Sequence, residues 1–266
     1  CVSYSEKNDY IFLKLHFLLW DAKSFNGSEL EKKLENVVTI SKKIGVNDAQ
    51  ISASVSLAAT YELNNKNQEA LDFAQATLAL NPPRYNHKVT LLQISGMALF
   101  KQGRYNLAEN YFDQALALAQ SNKSAFLTAL TYSFYGTLAS QKGNYEKAEN
   151  LFSKADIVIT LVHDLGSKND LNSRIIGYRA KSQLMQGNYE KAAKLYKDSI
   201  DLIQPFATEK SLEMAELNKG MATSLSKNGS STSNKYDAIA SYYLEQANAK
   251  NEKVSCLLSF VPISCK

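Results

Sequence analysis

Gly103-Arg-Tyr105-Asn-Leu-Ala108-Glu-Asn-Tyr-Phe112-Asp-Gln-Ala115 returns forty residues later as Gly143-Asn-Tyr145-Glu-Lys-Ala148-Glu-Asn-Leu-Phe152-Ser-Lys-Ala155. A third copy runs Gly187-Asn-Tyr189-Glu-Lys-Ala192-Ala-Lys-Leu-Tyr196-Lys-Asp-Ser199, with serine in place of the last alanine. After the glycine, the recurring aromatic, small, aromatic and small residues are three or four positions apart, which places them on one face of a helix. A glycine just before such a face ends the preceding helix, because a left-handed turn costs it little. The small residues mark places where two helix backbones come closest. Seven positions before each glycine stands another small residue, Gly96, Gly136 and Ala180, so the helix before each turn also has a close-packed face.

This pattern resembles the second half of the tetratricopeptide repeat. The resemblance implies an all-α fold, an α-α superhelix in which antiparallel helix pairs stack side by side. It is clearest over 86–203. A weaker copy covers 47–85, where Ala58, Ala70, Leu71, Leu78 and Pro82 fit and Asn65 and Asn67 stand for the turn glycine and the aromatic. Another covers 208–248, with Ala222 at the small position, Tyr236, Ile239 and Tyr243 in the second helix, and a polar insert, Gly229-Ser-Ser-Thr-Ser-Asn234, enlarging the turn. Residues 6–44 supply one more amphipathic pair, broken at Asn26-Gly27-Ser28, where Ser28 can cap the following helix. The expected organisation is a short tether over 1–5, six pairs over 6–44, 47–85, 86–122, 123–165, 168–205 and 208–248, and a tail over 249–266. Spacings of 40 and 44 between turn glycines exceed the family's usual period, so longer helices are expected.

Composition agrees with an all-helical chain and excludes several functions. Four Pro and eleven Gly in 266 residues suit helices joined by short turns. Thirty Lys and Arg against 26 Asp and Glu leave a charge of +4 without a basic block, so nucleic acid is not an expected partner. The most apolar stretch, Ile11 to Leu19, is interrupted by Lys14 and His16 and is too short to cross a bilayer, which takes ~20 residues. Phe12, Leu15, Leu19 and Ala22 make it a packed helix instead.

Cysteine stands at position 1, and a bacterial lipoprotein after signal-peptide removal resembles this start. That resemblance implies an acyl (palmitate) chain on Cys1. It also implies the periplasmic face of the outer membrane, because Val2 and Ser3 lack the aspartate that marks inner-membrane retention in enterobacteria. The other two cysteines, Cys256 and Cys265, form either a disulfide in an oxidising compartment or two free thiols in a cytosolic chain.

Catalytic signals are missing. His16, His87 and His163 are far apart in sequence, no nucleophile elbow, phosphate loop or HExxH occurs, and no metal, cofactor or small-molecule substrate is expected. The resemblance instead points to a groove lined by the first helix of each pair. Its positions carry over to Gln93, Ile94 and Met97, to Ser133, Phe134 and Thr137, and to Arg174, Tyr178 and Lys181. Ile94, Met97, Phe134 and Tyr178 would form an apolar track for a protein or peptide, with Arg174 and Lys181 as a basic end. The expected function is therefore a non-catalytic interaction scaffold serving an envelope machine such as a pilus, secretion system, flagellar structure or outer-membrane complex. Alternatives are a cytosolic peptide-sensing regulator and a docking regulator of a cell-wall enzyme.

Overall fold

The computed structural model describes residues 27–207 and 211–249. The expected tether, the first helix with Ile11 to Leu19 and His16, and the tail with its cysteines lie outside them, as does Cys1.

Among the described residues the chain forms eleven α-helices and no strand. They are α1 (Gly27–Ile44), α2 (Asn47–Leu63), α3 (Asn67–Ala79), α4 (Tyr85–Lys101), α5 (Tyr105–Ser121), α6 (Ala125–Gln141), α7 (Tyr145–Ile159), α8 (Leu165–Met185), α9 (Tyr189–Ile203), α10 (Ser211–Lys227) and α11 (Ser233–Ala249). Each helix packs mainly on its neighbours in the chain, and α2, α4, α6, α8 and α10 also pack on one another in succession. That is an α-α solenoid of the tetratricopeptide type. Its inner face is built by the even-numbered helices. Helix α1 opens at Gly27, so position 28, expected to precede the helix, falls within its first turn.

Every turn from an inner to an outer helix has one geometry. Gly103, Gly143, Gly187 and Gly229 have φ between 75° and 79°, and Asn65 stands in the same role at 56°. Asparagine tolerates this left-handed conformation better than most L-residues, so the weak copy keeps the turn. Arg104 N–H donates to the Leu99 carbonyl and Gly103 N–H to that of Phe100, and the same pair of bonds closes the turns at Asn65, Gly143, Gly187 and Gly229. The double bond satisfies carbonyls that the helix end would leave bare. The polar insert adds two residues only: α11 starts four residues after Gly229, whereas α5 starts two after Gly103.

Packing explains the repeated small residues. Ala108, Ala148 and Ala192 are fully buried, as are Ala115, Ala155 and Ser199. A Cβ on Gly96 would stand 2.5 Å from Cε1 of Phe112, and one on Gly136 would stand 2.8 Å from Cε1 of Phe152. In the third copy Ala180 already carries that Cβ. The equivalent ring, Tyr196, lies instead against Gly220 of the next pair. The serine exception is also resolved: Ser199 Oγ donates to the Ser173 carbonyl at 2.8 Å, while Ser173 Oγ donates to the Ser199 carbonyl at 3.0 Å. The buried hydroxyls thereby satisfy each other's helices.

Ion pairs stitch adjacent pairs together. Glu109 of α5 accepts from Lys147 at 2.7 Å, Lys142 at 2.9 Å and the Tyr135 hydroxyl at 2.9 Å. These donors, Lys147 first, hold its carboxyl down at about 2. A carboxylate whose pKa is lowered by folding stabilises the fold above its unfolded value. The contribution is lost as pH falls through the folded one. Urea midpoints should therefore fall more steeply for the wild type than for Glu109→Gln between about pH 4.5 and pH 2. Parallel curves in that window would remove Glu109 from the acid response.

Candidate functional site

Sequence reasoning placed nine residues on an open groove, and the structure corrects most of them. Gln93, Ile94, Met97, Ser133, Thr137 and Tyr178 are buried, and all ten residues from Leu91 to Phe100 are buried too. The inner helices approach so closely that these side chains enter the seams between helices. Gln93 Nε2 donates to Thr131 Oγ1 at 2.8 Å, joining α4 to α6. Ser140 and Ser182 join α6 to α8 at 2.8 Å. Ser133 and Thr137 return their hydroxyls to carbonyls of their own helix. The apolar track becomes a packed ladder in which the Phe112, Phe134 and Tyr178 rings follow at 6.2 Å steps. Phe134, Arg174 and Lys181 are only half-buried.

The inner face instead gathers charge. Lys101 Nζ of α4 sits 2.7 Å from Glu62 Oε1 of α2 and also donates to the Glu62 carbonyl at 3.0 Å. Arg174 of α8 places Nη2 2.9 Å from Glu213 of α10 and Nε 3.2 Å from Asp170. Burial works against the guanidinium's charge, but Glu213 and Asp170 outweigh it and raise its pKa.

Tyr178 ties these groups together. Burial is the main cause of its raised hydroxyl pKa. Arg174 acts in the opposite sense, and the charges of Glu62, Glu216 and Glu213 raise it further. Carboxylates from α2 and α10, at opposite ends of the described array, thus act on one hydroxyl of α8. Lys181 lies one turn beyond Tyr178. The resulting constellation has both signs of charge, the half-buried ring of Phe134, and contributions from all five inner helices.

Other candidates do not converge. His87 opens α4, its pKa lowered by burial and then by Arg84, while His163 lies in the loop before α8. Among the described residues no group of His, Cys, Asp and Glu is placed to hold a metal ion. A cavity of 620 Å³ lies between the outer helices α1 and α3, lined by Glu35, Val38, Thr39, Lys42, Lys43 and Phe73. No described helix is long and apolar enough to cross a membrane.

Sequence signals for the charged constellation were weak. Lys101 and Glu62 look like ordinary surface residues at helix ends, and nothing local links Glu213 to Arg174. Only the repeat register, which puts all of them on inner helices, hinted at it.

Residues 89–155, from α4 through α7, match the family described as tetratricopeptide repeat. No curated protein sequence matches. Among solved structures, PlcR of Bacillus thuringiensis in complex with the peptide PapR7 and DNA aligns over 85% of this chain and 84% of its own, with TM-score 0.65 at 11% identity. The Rap conjugation gene regulator of plasmid pLS20, in complex with the Phr* peptide, aligns over 92% and 74%, with TM-score 0.58 at 16% identity. A tetratricopeptide repeat protein from Parabacteroides merdae aligns over 91% and 79%, with TM-score 0.50 at 18% identity. The fold is therefore a tetratricopeptide-type solenoid, an architecture that presents an extended surface for protein–protein interaction.

Proposed function

We propose that this chain is a non-catalytic receptor for a peptide or an extended protein segment, held against the inner face. The observation that carries the reading is that Phe134, Arg174 and Lys181 reach the inner face half-buried, on a floor held in place by the Lys101–Glu62 and Arg174–Glu213 ion pairs between inner helices. A cluster assembled from so many repeats recognises a ligand long enough to cross several of them. Two solenoids of similar fold are described in complex with peptides, one of them a conjugation gene regulator, which supports a peptide-responsive role over an envelope scaffold.

A random heptapeptide library displayed on phage and selected on the immobilised chain tests this. Selected peptides should bind the wild type and lose roughly tenfold or more in affinity to Phe134→Ala, the usual cost of truncating an aromatic anchor. Lys181→Ala should weaken peptides carrying an acidic residue. Leu107→Ala, on an outer helix, should change nothing. Peptides indifferent to both inner-face substitutions would show that the ligand sits elsewhere. Acylation of Cys1 and an outer-membrane setting form a separate proposal, tested by the intact mass of the chain recovered from membranes.

A further inference from the structure

The outer helices α3, α5, α7, α9 and α11 each follow an inner helix across a tight turn, and only α1 enters without one among the described residues. Its N-terminus stands at the tight-turn edge, so the chain before Gly27 reaches α1 from that edge. Those residues lie outside the described ones, but their sequence has a pattern of its own. At helical spacing Phe12, Leu15, Leu19 and Ala22 share one face, and Leu13, Phe17 and Trp20 share another. Lys14 and Asp21 separate the two on one side, His16 and Lys23 on the other. The terminal helix of a solenoid needs a polar outer face. A helix with two apolar faces has both to bury, so this segment calls for a second seat besides its neighbours in the first pair.

The inner face provides one. Val55 and Ala59 of α2 lie on the same side as Glu62, at i, i+4 and i+7, and are half-buried. Across the interior stand the half-buried ring of Phe134 and, 6.2 Å from it, that of Tyr178. Glu62 acts on the Tyr178 hydroxyl from α2, so the two walls close to within the reach of one helix, which is about 10–12 Å across. The levels also agree. Phe134 and Tyr178 stand seven residues before the ends of α6 and α8 at Gln141 and Met185, and Trp20 stands seven before Gly27. A helix leaving the same edge brings Trp20 to their level, about 10 Å in. Charges match as well: the inner face carries Glu213, Glu216 and Lys181, and the stripes between the two apolar faces carry Lys14, Lys23 and Asp21.

We propose that residues 11–23 dock on the inner face as a ligand built into the chain, with Phe12, Leu15 and Leu19 on α1 and α2 and Leu13, Phe17 and Trp20 on Phe134 and Tyr178. A segment of the same chain competes at high effective concentration, so an incoming peptide binds by displacing it. This docking deepens the receptor reading, on which it rests, by giving the site a competitor.

Trp20 is the chain's sole tryptophan, so acrylamide quenching of its emission in the full chain reads the docking directly. Trp20 should be shielded in the wild type and opened by Phe134→Ala, whereas Leu107→Ala on an outer helix changes nothing. Peptides selected on the immobilised chain should open it in the wild type. Leu13→Ser with Phe17→Ser should open it without peptide and tighten those peptides roughly tenfold, as for a site free about a tenth of the time. Should that double variant melt early, Phe134→Ala alone decides. A wild-type tryptophan quenched as freely as in a short peptide overturns the proposal. So does a shielded Trp20 that ignores Phe134→Ala, since the segment would then pack on α1 and α2 only. Peptide binding absent from every variant, with Trp20 still answering to Phe134→Ala, sinks the receptor reading and leaves the docking in place.

Discussion

Phe112→Ala is expected to lower stability by about 3–5 kcal/mol, and Phe152→Ala by as much. Both rings are fully buried, and each closes over the bare backbone of a glycine in the partner helix of its pair. A smaller side chain leaves a cavity that two facing helices cannot close, because their alanines already stand at contact. The converse substitution tests the same contact. Gly96→Ala gains about 1 kcal/mol in helix propensity. It places a methyl inside the Phe112 ring, an overpacking that typically costs 1–3 kcal/mol. Combining Gly96→Ala with Phe112→Leu should recover part of the loss, and that non-additivity in urea denaturation marks a direct contact. Since each pair in a solenoid is held only by its neighbours, damage at α4 and α5 should also broaden the transition or split it in two. A single sharp transition with less than about 1 kcal/mol lost would mean the ring is not the keystone of its pair.

This contact was partly legible in the sequence. The spacing from Gly96 to Phe112 repeats from Gly136 to Phe152, and a small residue facing a conserved-spacing aromatic implies close approach. Asn65 was legible as a turn residue for the same reason, since few side chains tolerate positive φ. The lateral reach of Tyr196 to Gly220 was not, because it joins residues of two different pairs that no local spacing links. Nor was the burial of Ile94, Met97 and Tyr178. Helix α4 is apolar on nearly every side, so periodicity marks no single face as the groove. Pattern reading identifies which helices line the inner side. How far apart they stand depends on residues in other repeats, and that distance decides whether a side chain lines a groove or fills a seam.

The second large effect is expected at Lys101. Lys101→Met should destabilise the chain by about 3–5 kcal/mol, the usual cost of removing one partner from a buried ion pair. Its side chain is 8% exposed and that of Glu62 14%, so the carboxylate left behind stays in a poorly hydrated seam. Lys101 also donates to the Glu62 carbonyl and lies 3.3 Å from Asn65 Oδ1, so its removal strips a donor from the end of α2 and from the turn that follows. Replacing both partners, Lys101→Met with Glu62→Leu, should restore most of the loss, because two apolar side chains of similar size need no compensation in that seam. The ionic origin has its own signature: the coupling energy between the two positions, read from a double-mutant cycle in urea, should hardly change with salt, as expected of a pair that solvent ions cannot reach. A coupling that vanishes at high salt would place the pair in open water. It would also remove the argument that the inner face keeps its charges in fixed positions for a ligand, because freely hydrated side chains hold no geometry a peptide could read.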